Sequence, residues 1–230
     1  METIKNFAGF TIIGLLALSI SGHTAQVSQS SDEILKRQVA GINLNDVTTI
    51  NAMTSLLSGA GVPGGIAIVT ECGEDIRYTF ASSGSTLRNT LDAIVSANPQ
   101  FSWQVSDGVV NVSPLAGDPP LLSLTIGELR LNGAHSTDEA ANQLFAIPEI
   151  QKRLAELHLS YGYTRFGIRD LKRPGSAPDK EEQRYNLTLK NVTVRDALNA
   201  IARAHGKAVW LYRERHCNGS TEFQINFPVS

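Results

Sequence analysis

Gly59-Ala60-Gly61-Val62-Pro63-Gly64 has the G-x-G-x-x-G spacing of a phosphate-cradling loop. Such a loop works only when it follows a strand and opens a helix, so that helical N–H groups point at the phosphate. Here helix-type periodicity precedes the glycines and strand-type sequence follows, so the loop is expected to end a helix. His216 and Cys217 set a base beside a nucleophile, but neighbours in an extended segment point to opposite faces, which argues against catalysis. His23, His135, His158, His205 and His216 show no H-E-x-x-H or paired-cysteine spacing, so no zinc site is expected. A G-x-S-x-G elbow is absent and the scattered carboxylates offer no acid/base pair. Trp103 and Trp210 have rings that could stack on a sugar, but their places in alternating strands favour core packing. The sequence therefore predicts no catalytic, cofactor-binding or metal residue, and it identifies no partner-binding residue. Cys72 and Cys217 remain, an even count compatible with one disulfide in an exported protein, with two separate thiols as the alternative.

The elements that would carry these residues come in a pattern that occurs twice. Thr86 to Trp103 (TLRNTLDAIVSANPQFSW) and Thr193 to Trp210 (TVRDALNAIARAHGKAVW) align without gaps at an offset of 107. They share Thr86/Thr193, Arg88/Arg195, Leu91/Leu198, Ala93/Ala200, Ile94/Ile201, Ala97/Ala204 and Trp103/Trp210. Leu87, Leu91, Ile94 and Val95 fall on one face of a helix capped by Ser85 or Thr86, and Val194, Leu198, Ile201 and Ala202 repeat that face. Each helix leads into an alternating aromatic strand and a turn pair, Asp107-Gly108 and Asn218-Gly219, suited to the positive φ angles of a two-residue hairpin.

Upstream in the first copy, Ile42 and Leu44 read as a strand, and Asp46 or Thr48 as the cap of a helix carrying Ile50, Met53, Leu56 and Leu57. Gly59 and Gly61 end that helix. Residues 65–70 (GIAIVT) and 76–81 (IRYTFA), separated by a turn-prone CGED, predict a hairpin or a closely spaced strand pair. The order is βαββαββ. After the breaker-rich segment Pro114 to Pro120, the second copy starts with a strand over Leu122 to Leu131. Ser136 and Glu139 then form a capping-box pattern, and Pro148 starts a second helical piece with Ile150, Leu154 and Leu157 on one face. Strands near 161–171 and 184–189 flank a polar loop, Lys172 to Gln183, read as a solvated insertion. The fold class expected is α+β, two repeated βαββαββ-type modules, each with two helices packed on small mixed or antiparallel sheets.

At 230 residues, 42% hydrophobic and 18% charged, the chain is long enough for one or two cores, and the repeat favours two. Lys5 precedes an uncharged apolar run from Phe7 to Ile20, followed by small and polar residues, as in a secretory signal peptide; the run is shorter than the roughly 20 apolar residues of a membrane span. Removing it takes away Lys5 and Glu2 together and leaves the net charge at −2. That near-neutral balance argues against nucleic acid or an anionic membrane as partner. The expected division is a signal peptide over 1–25, a linker over 26–38, a first module over 39–114, a proline-rich linker over 115–120 and a second module over 121–230.

The succession of a strand, a glycine-terminated helix (Gly59 to Gly61), two strands, a helix carrying Leu87, Leu91, Ala93 and Ile94, and the Phe101 to Val112 hairpin resembles the secretin and TonB short N-terminal domain. The resemblance is strongest over Ile42 to Val112; in the second half it rests on Asn186 to Trp210. It implies a periplasmic or secreted, non-catalytic module without cofactor that binds another envelope protein, linked to secretion or TonB-dependent uptake. It transfers no functional residue, because the shared positions are core positions. With no pore or barrel sequence after the second copy, the expectation is a free-standing tandem that touches a membrane only through an uncleaved signal segment. Two other readings stay open: a carbohydrate or peptidoglycan binder using Tyr161, Tyr163 and Phe166, and a hydrolase with an unrecognised site around the insertion.

Overall fold

The computed structural model describes residues 31–72, 77–162 and 184–228. The expected signal peptide, the 172–183 loop and all but the first two residues of the strand expected near 161–171, with Tyr163 and Phe166, lie outside the described residues. The first half runs α1 (Ser31–Leu35), β1 (Gln38–Val39), β2 (Ile42–Thr48), α2 (Thr49–Ala60), β3 (Gly64–Glu71), β4 (Arg77–Ser82), β5 (Ser85–Thr86), α3 (Leu87–Ala97), β6 (Phe101–Ser106) and β7 (Val109–Pro114). The second runs β8 (Thr125–Ala134), α4 (Thr137–Phe145), α5 (Pro148–Glu156), β9 (Leu159–Tyr161), β10 (Tyr185–Thr193), α6 (Val194–His205), β11 (Val209–Cys217) and β12 (Ser220–Asn226).

Local chemistry explains most boundaries. Thr48, Thr86 and Thr193 each accept a hydrogen bond from the backbone N–H three residues on, which satisfies a donor that the first helical turn leaves orphaned. In α6 the Asp196 carboxylate bonds back to the Thr193 N–H and closes a full capping box. Gly61, at φ 61°, ends α2 in the left-handed region, and its N–H returns to Leu57 and Ser58 carbonyls. Ser136 caps α4, but the Glu139 carboxylate accepts from the His135 N–H instead of closing a box on Ser136. Pro148 sits in the first turn of α5, where its missing N–H costs nothing. Asp107-Gly108 and Asn218-Gly219 all have positive φ and close the hairpins β6–β7 and β11–β12.

Strand pairing departs from sequence expectation at one informative place. β3 and β4 do not form a hairpin: β4 pairs antiparallel with β2, while β3 lies parallel between β7 and β11. A strand flanked by parallel partners is buried on both faces, and the run Gly64 to Ile68 is buried throughout, which a hairpin edge would not allow. Three further expectations shift. Residues 121–123 form a turn and the strand begins at Thr125, because the Leu122 and Leu124 carbonyls receive the Arg195 and Val194 N–H groups at the start of α6. Within the expected 26–38 linker, α1 buries Ile34 and Leu35, and Arg37 reaches the Ala60 and Gly61 carbonyls. Asp46 is not a cap: it stands at φ 52° in an irregularity of β2 and pairs with Arg77 at 3.2 Å.

The principal sheet has six strands in the order β6-β7-β3-β11-β12-β9; β2–β4, β8–β10 and β1–β5 are two-stranded. In both halves a β2–β4 or β8–β10 ribbon is antiparallel, the closing hairpin is antiparallel, and the last strand takes β3 or β9 in parallel. The architecture is α+β, with mixed helices and small sheets. One apolar core gathers Met53, Leu56, Ile66, Leu91, Ile94 and Val112 with Val209, and the other gathers Leu129, Leu144, Leu198, Ile201, Tyr212 and Phe223 with Ala67. Ile66 and Val209 look to one face of the sheet, Ala67 and Trp210 to the other, so the two cores lie on opposite faces where β3 meets β11.

Candidate functional site

The helix and strand of each repeat hold one arrangement of side chains. In the first half Arg88 lies over the Trp103 ring at 5.6 Å, and Trp103 Nε1 donates to Asp92 Oδ1 at 3.0 Å. In the second, Arg195 lies over Trp210 at 5.4 Å, and Trp210 Nε1 donates to Asn199 Oδ1 at 2.8 Å. All three positions stand at the same offset. Their surroundings differ: Trp210 is fully buried, whereas Trp103 is only half-buried. Among the described residues β11 is an interior strand and β6 an edge, so there Trp210 alone has a second neighbour strand to cover it.

The two halves meet along a seam between β3 and β11. β3 and β11 pair in parallel over eight positions, Gly64 to Glu71 against Val209 to His216. The next residues, Cys72 and Cys217, are joined as a disulfide with Cα atoms 4.7 Å apart, the separation a parallel register delivers. On the opposite side of the seam Arg195 is almost fully buried. Its Nη2 donates to Asp118 Oδ1 at 2.6 Å and its Nη1 to Asn111 Oδ1 at 3.4 Å. One guanidinium from α6 thus holds β7 of the first half and the proline-rich segment between the halves. Burial lowers the Arg195 pKa, and the Asp118 carboxylate opposes that fall.

A second polar chain runs along β11. Tyr212 donates to Glu214 Oε2 at 2.7 Å, and Glu214 Oε1 stands 2.9 Å from His216 Nε2, with Thr221 Oγ1 at 3.4 Å from the other ring nitrogen. Alternate residues of a strand share a face, so the chain leads from the second core to the surface. Burial, the hydrogen bond to Glu214 and its negative charge all push the Tyr212 pKa upward. The tyrosine has no free face on solvent, so this chain satisfies buried polar groups and presents only His216 outside. On the other face of the same hairpin, Arg213, Arg215, Glu222 and Gln224 line a depression of about 50 Å³. Clefts that enclose a small organic ligand run to roughly 300–1,000 Å³.

The residues singled out from sequence are dispersed. Gly59 to Gly64 leaves α2 and enters β3, the reverse of a phosphate-binding order, and the Gly64 N–H is taken by the Ala208 carbonyl. Cys217 is in the disulfide and His216 in the glutamate chain, so they share no site. Among the described residues no three His, Cys, Asp or Glu side chains group as a metal site. Tyr161 is 55% exposed, yet its ring packs edge-on against Phe223 at 5.1 Å and its hydroxyl donates to the Ile225 carbonyl. Sequence reasoning missed Arg195–Asp118 and Glu214, although the Arg88/Arg195 identity and a charge inside an apolar strand were signals for both. Among the described residues no helix is long and apolar enough to cross a membrane, and the disulfide is the kind of bond an oxidising, exported environment maintains. No family model matches the chain, and no curated protein or solved structure matches it.

Proposed function

We propose that this chain is a tandem of secretin and TonB short N-terminal-like modules acting as a non-catalytic protein-interaction adaptor in a bacterial-type periplasm, in secretion or TonB-dependent uptake. The observation that carries the reading is the repeated set of pairings around the repeated Arg–Trp arrangement: apart from the short α1, β1 and β5 and a pair of helices, α4 and α5, where the first half has α2 alone, the halves share an element order and use the same three strand partnerships. Among the described residues the buried charges are engaged in structural roles: Arg195 and Glu214 are held in hydrogen bonds, and the cysteines are joined. Such a scaffold offers partners its sheet edges and helix faces rather than a cleft. The glycan-binding alternative draws less support, because Tyr161 is already packed on Phe223.

The test is in-cell crosslinking of the tagged protein in an envelope fraction, followed by mass spectrometry. A transporter, secretin or receptor recovered at defined residues is the expected result. Self-links alone would sink the adaptor reading and move the weight to a ligand or an enzymatic role.

A further inference from the structure

The outer edge of β6 is the counterpart of the edge of β11 that receives β3. At the offset of 107, Trp103 corresponds to Trp210 and Val105 to Tyr212. In the second half that edge is filled: Gly65 stands opposite Trp210, Ala67 opposite Tyr212, and both aromatic rings are fully buried. In the first half Trp103 keeps its arginine and its hydrogen-bond acceptor, but among the described residues β6 has β7 as its only strand neighbour, and Trp103 and Val105 are only partly buried, against the first core.

The backbone of β6 is set up for another strand. The two-residue turn at Asp107-Gly108 makes Ser106 and Val109 the closing hydrogen-bonded pair, and alternation then turns the N–H and C=O groups of Trp103 and Val105 away from β7. Phe101 to Ser106 contains no charged residue and no proline, the usual protections of an exposed edge.

We infer that this edge binds an extended segment of a partner protein, running parallel to β6, with glycine opposite Trp103 and a residue no larger than alanine opposite Val105. The β3–β11 seam supplies the register and the reason for the small residues: a Cβ at Gly65 would collide with the Trp210 ring. Ile66 and Ile68, which alternate with them, face the first core; the matching side of β6 bears Gln104 and Ser106, so the bound segment is polar there. Main-chain hydrogen bonds provide the affinity and the small residues the selectivity. The inference rests on the adaptor reading and names the edge and the peptide class it uses.

The probe is a synthetic peptide GGTATVTE, the sequence of Gly64–Glu71 with threonine in place of Ile66 and Ile68 so that the side facing Gln104 and Ser106 is polar, added to the full chain and read by amide hydrogen exchange. Saturating peptide is expected to slow exchange at Trp103 and Val105 by about tenfold or more, as new interstrand hydrogen bonds do. A peptide with valine for its second glycine is expected to leave both amides unchanged. Val105→Pro removes a donor that points away from β7, and is expected to abolish peptide protection while the amides of α6 and β11 stay protected. If that variant does not fold, a photo-crosslinking residue at Gln104 replaces it, with a crosslink to the glycine peptide and none to the valine peptide expected. Absence of protection, or equal protection by both peptides, overturns the inference. So does concentration-dependent protection of these amides in the free chain with a dimer mass, which would give the edge to a second copy. A partner crosslinked in cells at other surfaces, with no peptide effect, overturns this edge and leaves the adaptor reading standing.

Discussion

Gly65 stands directly opposite Trp210 on neighbouring parallel strands, and the indole occupies the space that any side chain at Gly65 would need. The two residues come from different halves of the chain, so one missing methyl group lets the second core close over the first half's central strand. Gly65→Ala is accordingly expected to destabilise the protein by on the order of 3 kcal/mol or more, since overpacking at a ring held by Asn199 and Arg195 leaves little room to relax. Gly59→Ala is the control: a Cβ there meets nothing within 4 Å inside α2. It is expected to be neutral or to stabilise by about 0.5–1 kcal/mol. Urea unfolding of the two variants checks both signs.

Removing one partner of a buried ion pair strands the other. Arg195 keeps 8% of its side-chain exposure and Asp118 keeps 30%, so the cost is asymmetric. Asp118→Ala leaves a guanidinium buried beside Trp210 and is expected to cost on the order of 3 kcal/mol. Arg195→Met retains the packing over the ring and leaves a carboxylate that water reaches, and is expected to cost less than Asp118→Ala. Chemical denaturation in matched buffers ranks them; the reverse order would mean that the pair contributes through geometry and not through desolvation.

The disulfide closes a loop between residues 145 apart in sequence. Restricting the unfolded chain over such a span is worth about 3–5 kcal/mol in the chain-entropy account. Paired Cys72→Ser and Cys217→Ser substitutions are expected to lower the urea midpoint by a matching amount while leaving the β3–β11 amides protected in exchange, because eight ladder positions and the Arg195–Asp118 pair remain. Loss of protection at β3 in the folded variant would show that the sulfur bond, not the ladder, holds the seam.

Tyr212 ties stability to alkaline pH. Its folded pKa is raised, so the neutral form is favoured in the native state; the contribution is complete below the unfolded value near 10 and is lost as pH rises above it. Unfolding free energy is therefore expected to fall steeply above pH 10. In Tyr212→Phe the slope is expected to flatten and stability at pH 7 to drop, since the buried Glu214 loses a donor. An unchanged alkaline slope in that variant would assign the pH dependence to other groups.

Much of the local structure is legible in the chain by itself. Thr86, Thr193, Gly61, Pro148 and the two turn pairs act through hydrogen bonds and φ preferences spanning four residues or fewer, and the helix faces around Leu91 and Leu198 follow from a 3.6-residue period. The repeat is visible for the same reason: a core helix and its following strand constrain residue type at each step. What the tertiary structure decided is which strands meet. The alternation of GIAIVT is compatible with a hairpin to β4 or with a buried parallel strand, and only the arrival of β11, 145 residues away, selects the second. The same event separates twin residues: Trp210 is buried by Gly65 while Trp103, identical in local sequence role and in its arginine, stays only half-buried, because strand neighbours come from long-range packing that no local pattern encodes.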